Sequence, residues 1–364
     1  MSCFPALKPG VNFIVDHNES SSDIYVGTLN YGIKLTGHKT ILFLQKANGQ
    51  LELNEIIKEI GISSNQALEI ITPLISHNLL TLATSPTIKR SANLDSLSLN
   101  ISRERILAEL NTVAWRNTLS PTKEILSRQD KEVIILGSNR LAFALLELFL
   151  SIGYLNTSIS SELKGEIPGS LVGATPFRIS DIGQKIHAST AQINREYSLN
   201  LLALKPLNKK AYKDAPGNAN LSEIYPRKIL ISTCDFPVES YADLILDGNA
   251  HLQVGNLSTG KVEIGPIVIP GKTPCYSCIS MWKSENLKEM ARLHFANRVQ
   301  DPLELPAASV AYLSGLIVSL IDNYFALEKS FLIGSSVVVN LLKPLEFIER
   351  FWQPNPRCGC LELL

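Results

Sequence analysis

The chain has 364 residues, of which 34 are Lys or Arg and 34 are Asp or Glu, and 45% of it is hydrophobic. That length makes room for about two domains with a sizeable core, and the balanced charge supplies no global field that would draw the chain to nucleic acid or to a membrane surface. Its first residues, Met1-Ser-Cys-Phe-Pro5, do not form a basic segment followed by an apolar run and a cleavage site, so a reducing, cytoplasmic setting is expected.

Residues 11–15, 23–27 and 30–35 alternate apolar and polar, with turn residues between them, which predicts a small antiparallel sheet. Three helices are expected next, over 38–46, 53–60 and 65–77. The last carries Leu68, Ile71, Ile75 and Leu79 at spacings of three and four, with Ser63 and Ser64 as N-caps and Pro73 as a source of a kink. A short closing strand at 79–82 completes the pattern of a winged helix-turn-helix. Such a domain invites a DNA-binding reading, but residues 1–90 hold seven Lys/Arg against seven Asp/Glu, and the third helix has no Lys or Arg at all. Phosphate neutralisation supplies most non-specific DNA affinity, so nucleic acid is set aside. Two readings stay open: a module that only packs on its neighbour, or a peptide-recognition domain that accepts an extended segment as an added strand.

Residues 83–98 are polar and turn-rich, and helices are expected at 101–115 and after Ser120-Pro121. The domain boundaries are therefore set at 1–90, a helical linker at 91–130, and an α/β domain at 131–364. The α/β grammar opens with the apolar strand 132–136, Gly137-Ser-Asn-Arg140 and a helix over 141–152. Strand, tight turn and helix N-terminus are how a doubly wound fold presents amides to phosphate. Here only Gly137 remains of the glycine pattern, Asn139 and Leu141 add side chains where a nucleotide needs close backbone approach, and Glu162 is the one acid near the position that would hold a ribose. A degenerate nucleotide site is expected. A helix near 183–198, a strand at 201–204 and a strand at 228–232 follow. The last runs into Thr233-Cys234-Asp235, where Asp235 stands at the ligand-bearing end of the sheet or serves as a cap.

Four of the six cysteines form two close pairs. One ends the stretch Gly265-Pro-Ile-Val-Ile-Pro-Gly-Lys-Thr-Pro-Cys275-Tyr-Ser-Cys278, and the other is Cys358-Gly-Cys360. Thiolate pairs with one or two residues between them suit tetrahedral Zn²⁺, and four sulfurs leave no open coordination position, so Cys275, Cys278, Cys358 and Cys360 are expected to hold a structural zinc. Chance thiols or disulfides fit such paired spacing less well, and Cys3 and Cys234 have no visible partners. Between the pairs, the sequence predicts an amphipathic helix over 281–298, a buried helix over 306–328, and strands at 336–342 and 345–352. The most apolar part of the buried helix, 307–321, reads as too short and too polar to span a bilayer.

Together, the glycine turn after 132–136, the strand ending in Asp235, Gly265-Pro266 leading to Pro274-Cys-Tyr-Ser-Cys278, and Pro356-Arg-Cys-Gly-Cys360 resemble the ThiF-like, ubiquitin-activating-enzyme-like adenylating fold. With the winged helix in front, the whole chain is similar to ThiF-like proteins of thiazole/oxazole-modified peptide biosynthesis. That resemblance implies a front domain that binds a precursor leader peptide as a strand along Asn30, Tyr31, Gly32, Ile33 and Lys34, against Leu68, Ile71 and Ile75. Active adenylating members carry a glycine-rich turn and an Asn with Arg-Gln after the second strand, and this sequence has neither. The resemblance therefore implies a non-catalytic, leader-binding subunit that presents the peptide to a YcaO cyclodehydratase and often works with a flavin-dependent dehydrogenase. ATP is not expected to bind, and a homodimer is compatible with the sequence. The alternative is a divergent enzyme that uses ATP to activate a peptide carboxylate. An oxidoreductase would need a dinucleotide site, against which the same degenerate turn argues.

Overall fold

A computed structural model describes residues 3–18, 21–84, 108–110, 112–116, 121–159, 163–202, 226–233, 248–255, 260–286, 304–327 and 330–360. The chain divides into two compact units, Met1–Arg128 and Gln129–Leu364.

In the first unit, β2 (Asn12–Asn18), β3 (Ser21–Gly27) and β4 (Gly32–Thr36) form an antiparallel meander with Ile14, Tyr25 and Lys34 in register. Alternation puts Ile24 and Val26 in the core with Phe13, Ile33 and Leu35 against it, and leaves Ile14 and Tyr25 exposed on the opposite face. The helices α1 (His38–Lys46), α2 (Leu53–Ile60) and α3 (Ser64–Ser76) cover the inner face, contributing Phe43, Leu44, Ile56, Ile70, Ile71 and Leu74. Ser63 starts α3 with a capping box. Its hydroxyl accepts from the Gln66 amide at 3.2 Å, and the Gln66 side chain accepts from the Ser63 amide at 3.0 Å; losing such a cap costs about 1 kcal/mol. The helix runs through Pro73 to Ser76. The closing strand β5 (Leu80–Ala83) pairs with β1 (Phe4–Leu7). Sequence reading missed β1, because Phe-Pro-Ala-Leu has no clean alternation and carries a proline, which demotes a run to edge strand or non-strand. The short helix α4 (Pro121–Ser127) begins on proline as expected. Residues 108–110 and 112–115, within the helix expected at 101–115, are helical; the rest of that range and residues 91–100 lie outside the described residues.

The second unit is built on one seven-stranded sheet of order β12-β11-β10-β9-β8-β6-β7. Strands β7 (Asn156–Ile159), β6 (Glu132–Leu136), β8 (Lys228–Ser232) and β9 (Ala250–Gly255) are parallel, and β10 (Lys261–Val268), β11 (Ser335–Asn340) and β12 (Phe347–Phe351) continue the sheet antiparallel. Helices α5 (Arg140–Ile152) and α8 (Ala307–Leu327) pack on the sheet, and α5 buries Leu141, Leu145, Leu146, Phe149 and Leu150. By length and composition α8 could cross a membrane, contrary to the expectation of too short a stretch. In this unit it is a core helix: Val310, Leu313, Ile317, Ile321 and Tyr324 are buried, and the Tyr154 hydroxyl donates to the buried Asp322 carboxylate at 2.7 Å.

One expectation fails here, and a second element starts earlier than expected. Helix α6 (Ile186–Leu202) runs through the first residues of the strand expected at 201–204, since a four-residue apolar run cannot by periodicity be told from a helix end; residues 203 and 204 lie outside the described residues. The helix expected over 281–298 instead begins at Tyr276, inside the first cysteine pair, as α7 (Tyr276–Asn286), and the rest of that range is outside the described residues.

Candidate functional site

The turn 269–273 between β10 and α7 is tied by the Lys272 and Thr273 amides, both donating to the Ile269 carbonyl. It delivers Cys275 to the start of α7 and Cys278 to its first turn. The second pair rides on the turn after β12, where Gly359 has φ +65°, a conformation that lets one residue separate two converging thiols. The Sγ atoms of Cys275 and Cys358 lie 3.4 Å apart, those of Cys278 and Cys360 3.5 Å, and those of Cys275 and Cys278 3.9 Å. All four lie within 4.8 Å of one another and could hold a metal ion. A tetrahedron of sulfurs around zinc has edges of about 3.8 Å, so the cluster has the size the ion requires.

The surroundings act in opposite directions on the thiols. Burial opposes ionisation of Cys278, but the Asn355 amide, 3.3 Å from its sulfur, and the neighbouring thiols outweigh it and hold this group below its ordinary range. Burial and the adjacent sulfurs push Cys358 well up and Cys360 up to about 11. Thiols must lose their protons to ligate a metal, so such a site releases protons as metal enters. The supporting shell was not legible beforehand. The Tyr276 hydroxyl donates to the carbonyls of Pro266 and His251 at 3.1 and 3.2 Å, and the His251 imidazole bonds the Ser232 hydroxyl at 2.9 Å. Burial drops the His251 pKa to about 3, so that ring is neutral. The buried Glu263 carboxylate accepts from Ser336 at 2.7 Å and from Lys283 at 2.8 Å, with Arg350 at 3.5 Å, tying α7, β10, β11 and β12 together beside the cysteines.

In the first unit, among the described residues, β4 pairs with β3 alone. The Thr28 amide donates to the Tyr31 carbonyl at 2.8 Å. Bonded and non-bonded pairs alternate along an antiparallel ladder, so the pairs 26/33 and 24/35 are bonded and the amides of Gly32, Lys34 and Thr36 turn to the open edge. Asn30 lies exposed in the turn before β4, and Tyr31 is 44% exposed. On α3, Leu68 is 56% and Ile75 43% exposed, whereas Ile71 is 2% exposed and belongs to the core. Helical spacing groups these three residues, but Ile71 lies on the inward side of the stripe, and Ile33 likewise packs inward.

The crevice at the carboxyl ends of β6 and β8 is bridged. Gly137 takes φ +138°, and a β-carbon there would stand 2.2 Å from the Thr233 hydroxyl. Thr233 donates its amide to the Leu136 carbonyl at 2.9 Å, and the Asn139 side chain reaches across to the Thr233 carbonyl at 2.6 Å. Asp235 and Cys234 lie outside the described residues.

No protein-family model and no curated protein matches the chain. Among solved structures, it is similar to E. coli MccB crystallised with AMPCPP and selenomethionine MccA, with a TM-score of 0.61 at 12% identity over 99% of each chain. It is also similar to the microcin C7 biosynthetic enzyme MccB in complex with N-formylated MccA, with a TM-score of 0.60 at 12% identity over 99% of this chain and 100% of that one. The heterocyclase TruD gives a TM-score of 0.55 at 12% identity; the match covers 99% of this chain and 43% of TruD. At such identity the likeness establishes a shared fold.

Proposed function

We propose that this protein binds the leader region of a ribosomally made precursor peptide and presents it to a separate cyclodehydratase of the YcaO type for azoline or thiazole formation, without ATP chemistry of its own. The observation that carries the reading is the open edge of β4, with outward amides on Gly32, Lys34 and Thr36, on a domain whose α3 exposes Leu68 and Ile75. An extended peptide paired there gains backbone hydrogen bonds, and apolar side chains on the helix give it selectivity. In this reading residues 1–90 form a winged helix-turn-helix recognition domain, 91–130 a helical linker, and 131–364 a ThiF-like α/β domain. The peptide site consists of Asn30, Tyr31, Gly32, Ile33, Lys34, Leu68 and Ile75, with Ile71 supporting it from the core. Cys275, Cys278, Cys358 and Cys360 hold zinc as a structural ion, and a cytoplasmic location suits free thiols. A flavin-dependent dehydrogenase is a further expected partner, and a homodimer is compatible with the reading.

Two similarities support a peptide partner: MccB is described in complex with the peptide MccA, and TruD as a heterocyclase. MccB is also described with ATP, which favours a second reading in which this chain adenylates a peptide carboxylate. ATP–pyrophosphate exchange by the purified protein separates the two. A labelled leader peptide should bind the full chain while exchange stays at background. Exchange above background with turnover on peptide would establish the second reading.

A further inference from the structure

The turn after β6 raises a question that the loss of glycines does not answer. A helix N-terminus at the carboxyl end of a parallel sheet carries free amides and about half a unit of positive charge, whether or not the turn is glycine-rich. Such an end attracts anions, and in a protein that does not use nucleotide its amides fall to water, to side chains or to another anion.

In this protein two amides of the first turn of α5, those of Arg140 and Ala142, are already satisfied from within. The Arg140 amide, the first of the helix, donates to the Glu304 carboxylate at 2.9 Å. The Ala142 amide donates to the Asn139 side-chain oxygen at 2.9 Å. The Arg140 guanidinium donates to the Leu305 carbonyl at 2.9 Å, which fixes the segment carrying Glu304, and Leu305 itself is buried. Glu304 lies 164 positions from Arg140 and only three residues before α8, a core helix, so its carboxylate is delivered by rigid structure. The Asn139–Thr233 bond crosses the adjoining crevice independently, and there is no room for a β-carbon at Gly137 beside Thr233.

We infer that the Glu304 carboxylate is a built-in anion that occupies the phosphate position at the N-terminus of α5 and keeps phosphate-bearing ligands out of the α/β unit. The inference rests on the reading that this unit performs no adenylation, and gives it a cause: the cradle is filled as well as degenerate. Glu304→Ala removes the anion and leaves space, whereas Glu304→Gln removes the charge and keeps the shape.

The test is the binding of inorganic pyrophosphate to the full chain, by calorimetry and by thermal shift, for the wild type and both variants, alongside ATP–pyrophosphate exchange by the wild type. Circular dichroism and metal content establish that each variant is folded. The expected result is that Glu304→Ala binds pyrophosphate at least about tenfold more tightly than the wild type, a difference of about 1.4 kcal/mol, with Glu304→Gln between them. Equal binding by wild type and variant, whether silent or measurable, overturns the inference; with exchange at background, that outcome leaves the proposed function standing. If Glu304→Ala does not fold, Glu304→Gln decides: tighter than wild type supports the inference and equal binding overturns it. Exchange by the wild type overturns both the inference and the reading beneath it.

Discussion

The backbone amide of Asn355 points at the Cys278 sulfur from 3.3 Å across 77 positions of sequence. Asn355 is buried, its carbonyl accepts from the Cys358 amide at 2.9 Å, and its side chain accepts from the Arg357 amide at 3.0 Å. One residue therefore shapes the turn that carries the second thiol pair and donates to a thiol of the first. An outer contact of this kind orients a metal ligand and raises its fitness as a thiolate.

The first prediction concerns that centre. The purified protein should carry one zinc per chain by elemental analysis, and Cys278→Ser should lose it. Zinc closing a four-ligand site in a small peptide contributes about 10–16 kcal/mol, so the variant should lose the cooperative melting of the second unit while the first unit keeps its leader-peptide affinity. A Cys278→Ser protein with full zinc content and unchanged melting would refute the assignment.

On the β4 edge, Lys34→Pro should remove an outward amide and raise the leader-peptide Kd at least about tenfold, or about 1.4 kcal/mol. Lys34→Ala keeps the amide while losing the ion pair with Asp23, and should bind nearly as well as the wild type. Fluorescence anisotropy with a labelled leader distinguishes them; equal affinities would place the peptide elsewhere.

Along α3, neighbouring positions should separate binding from stability. Leu68→Ser and Ile75→Ser, at exposed sites, should weaken peptide binding and shift unfolding by no more than about 0.5 kcal/mol. Ile71→Ala should cost about 2–5 kcal/mol of stability, because it empties space in the core. Denaturant titration of each variant reads this contrast.

The neutral His251 predicts a pH dependence. The unfolded chain binds a proton at this residue near pH 6.5, whereas the native ring resists until about pH 3. Between those values the unfolded state holds more protons, so stability falls as pH falls through that window and is fully present above it. Replacing His251 by Gln should flatten the slope of unfolding free energy between pH 6.5 and pH 3. An unchanged slope would assign it to other groups.

How much of this was legible in the sequence depended on how local the signal was. Helices α1 and α2 and strands β6 and β8 announce themselves, because caps, periodicity and apolar runs are properties of adjacent residues. Paired cysteines point to a cluster that could hold a metal, since ligand spacing is itself local. The middle of the sheet was harder, although the outer strands β11 and β12 were expected close to their observed bounds. Strands β9 and β10, with a register shift between Ile264 and Ile267, lie at the sheet's centre, buried on both faces, and show no clean alternation. The Tyr276–His251–Ser232 chain and the Glu304–Arg140 contact join residues far apart in sequence, and no spacing rule reaches them. Ile71 shows the same limit at close range, since periodicity grouped it with Leu68 and Ile75 but only packing tells which side of the stripe is covered.

The separation of the two thiol pairs sets the order in which the protein can be completed. Cys358 follows Cys275 by 83 positions, so at about 5–20 residues per second the ribosome takes roughly 4 to 17 seconds to supply the second pair. Throughout that interval Cys275 and Cys278 are a bare dithiol, open to oxidation or to a two-coordinate metal. Strand β11 and the edge strand β12 are synthesised within that interval. A metal bound by all four thiols would therefore close last, and a nascent chain stalled before Cys358 exposes a reactive thiol pair to the cell's quality control.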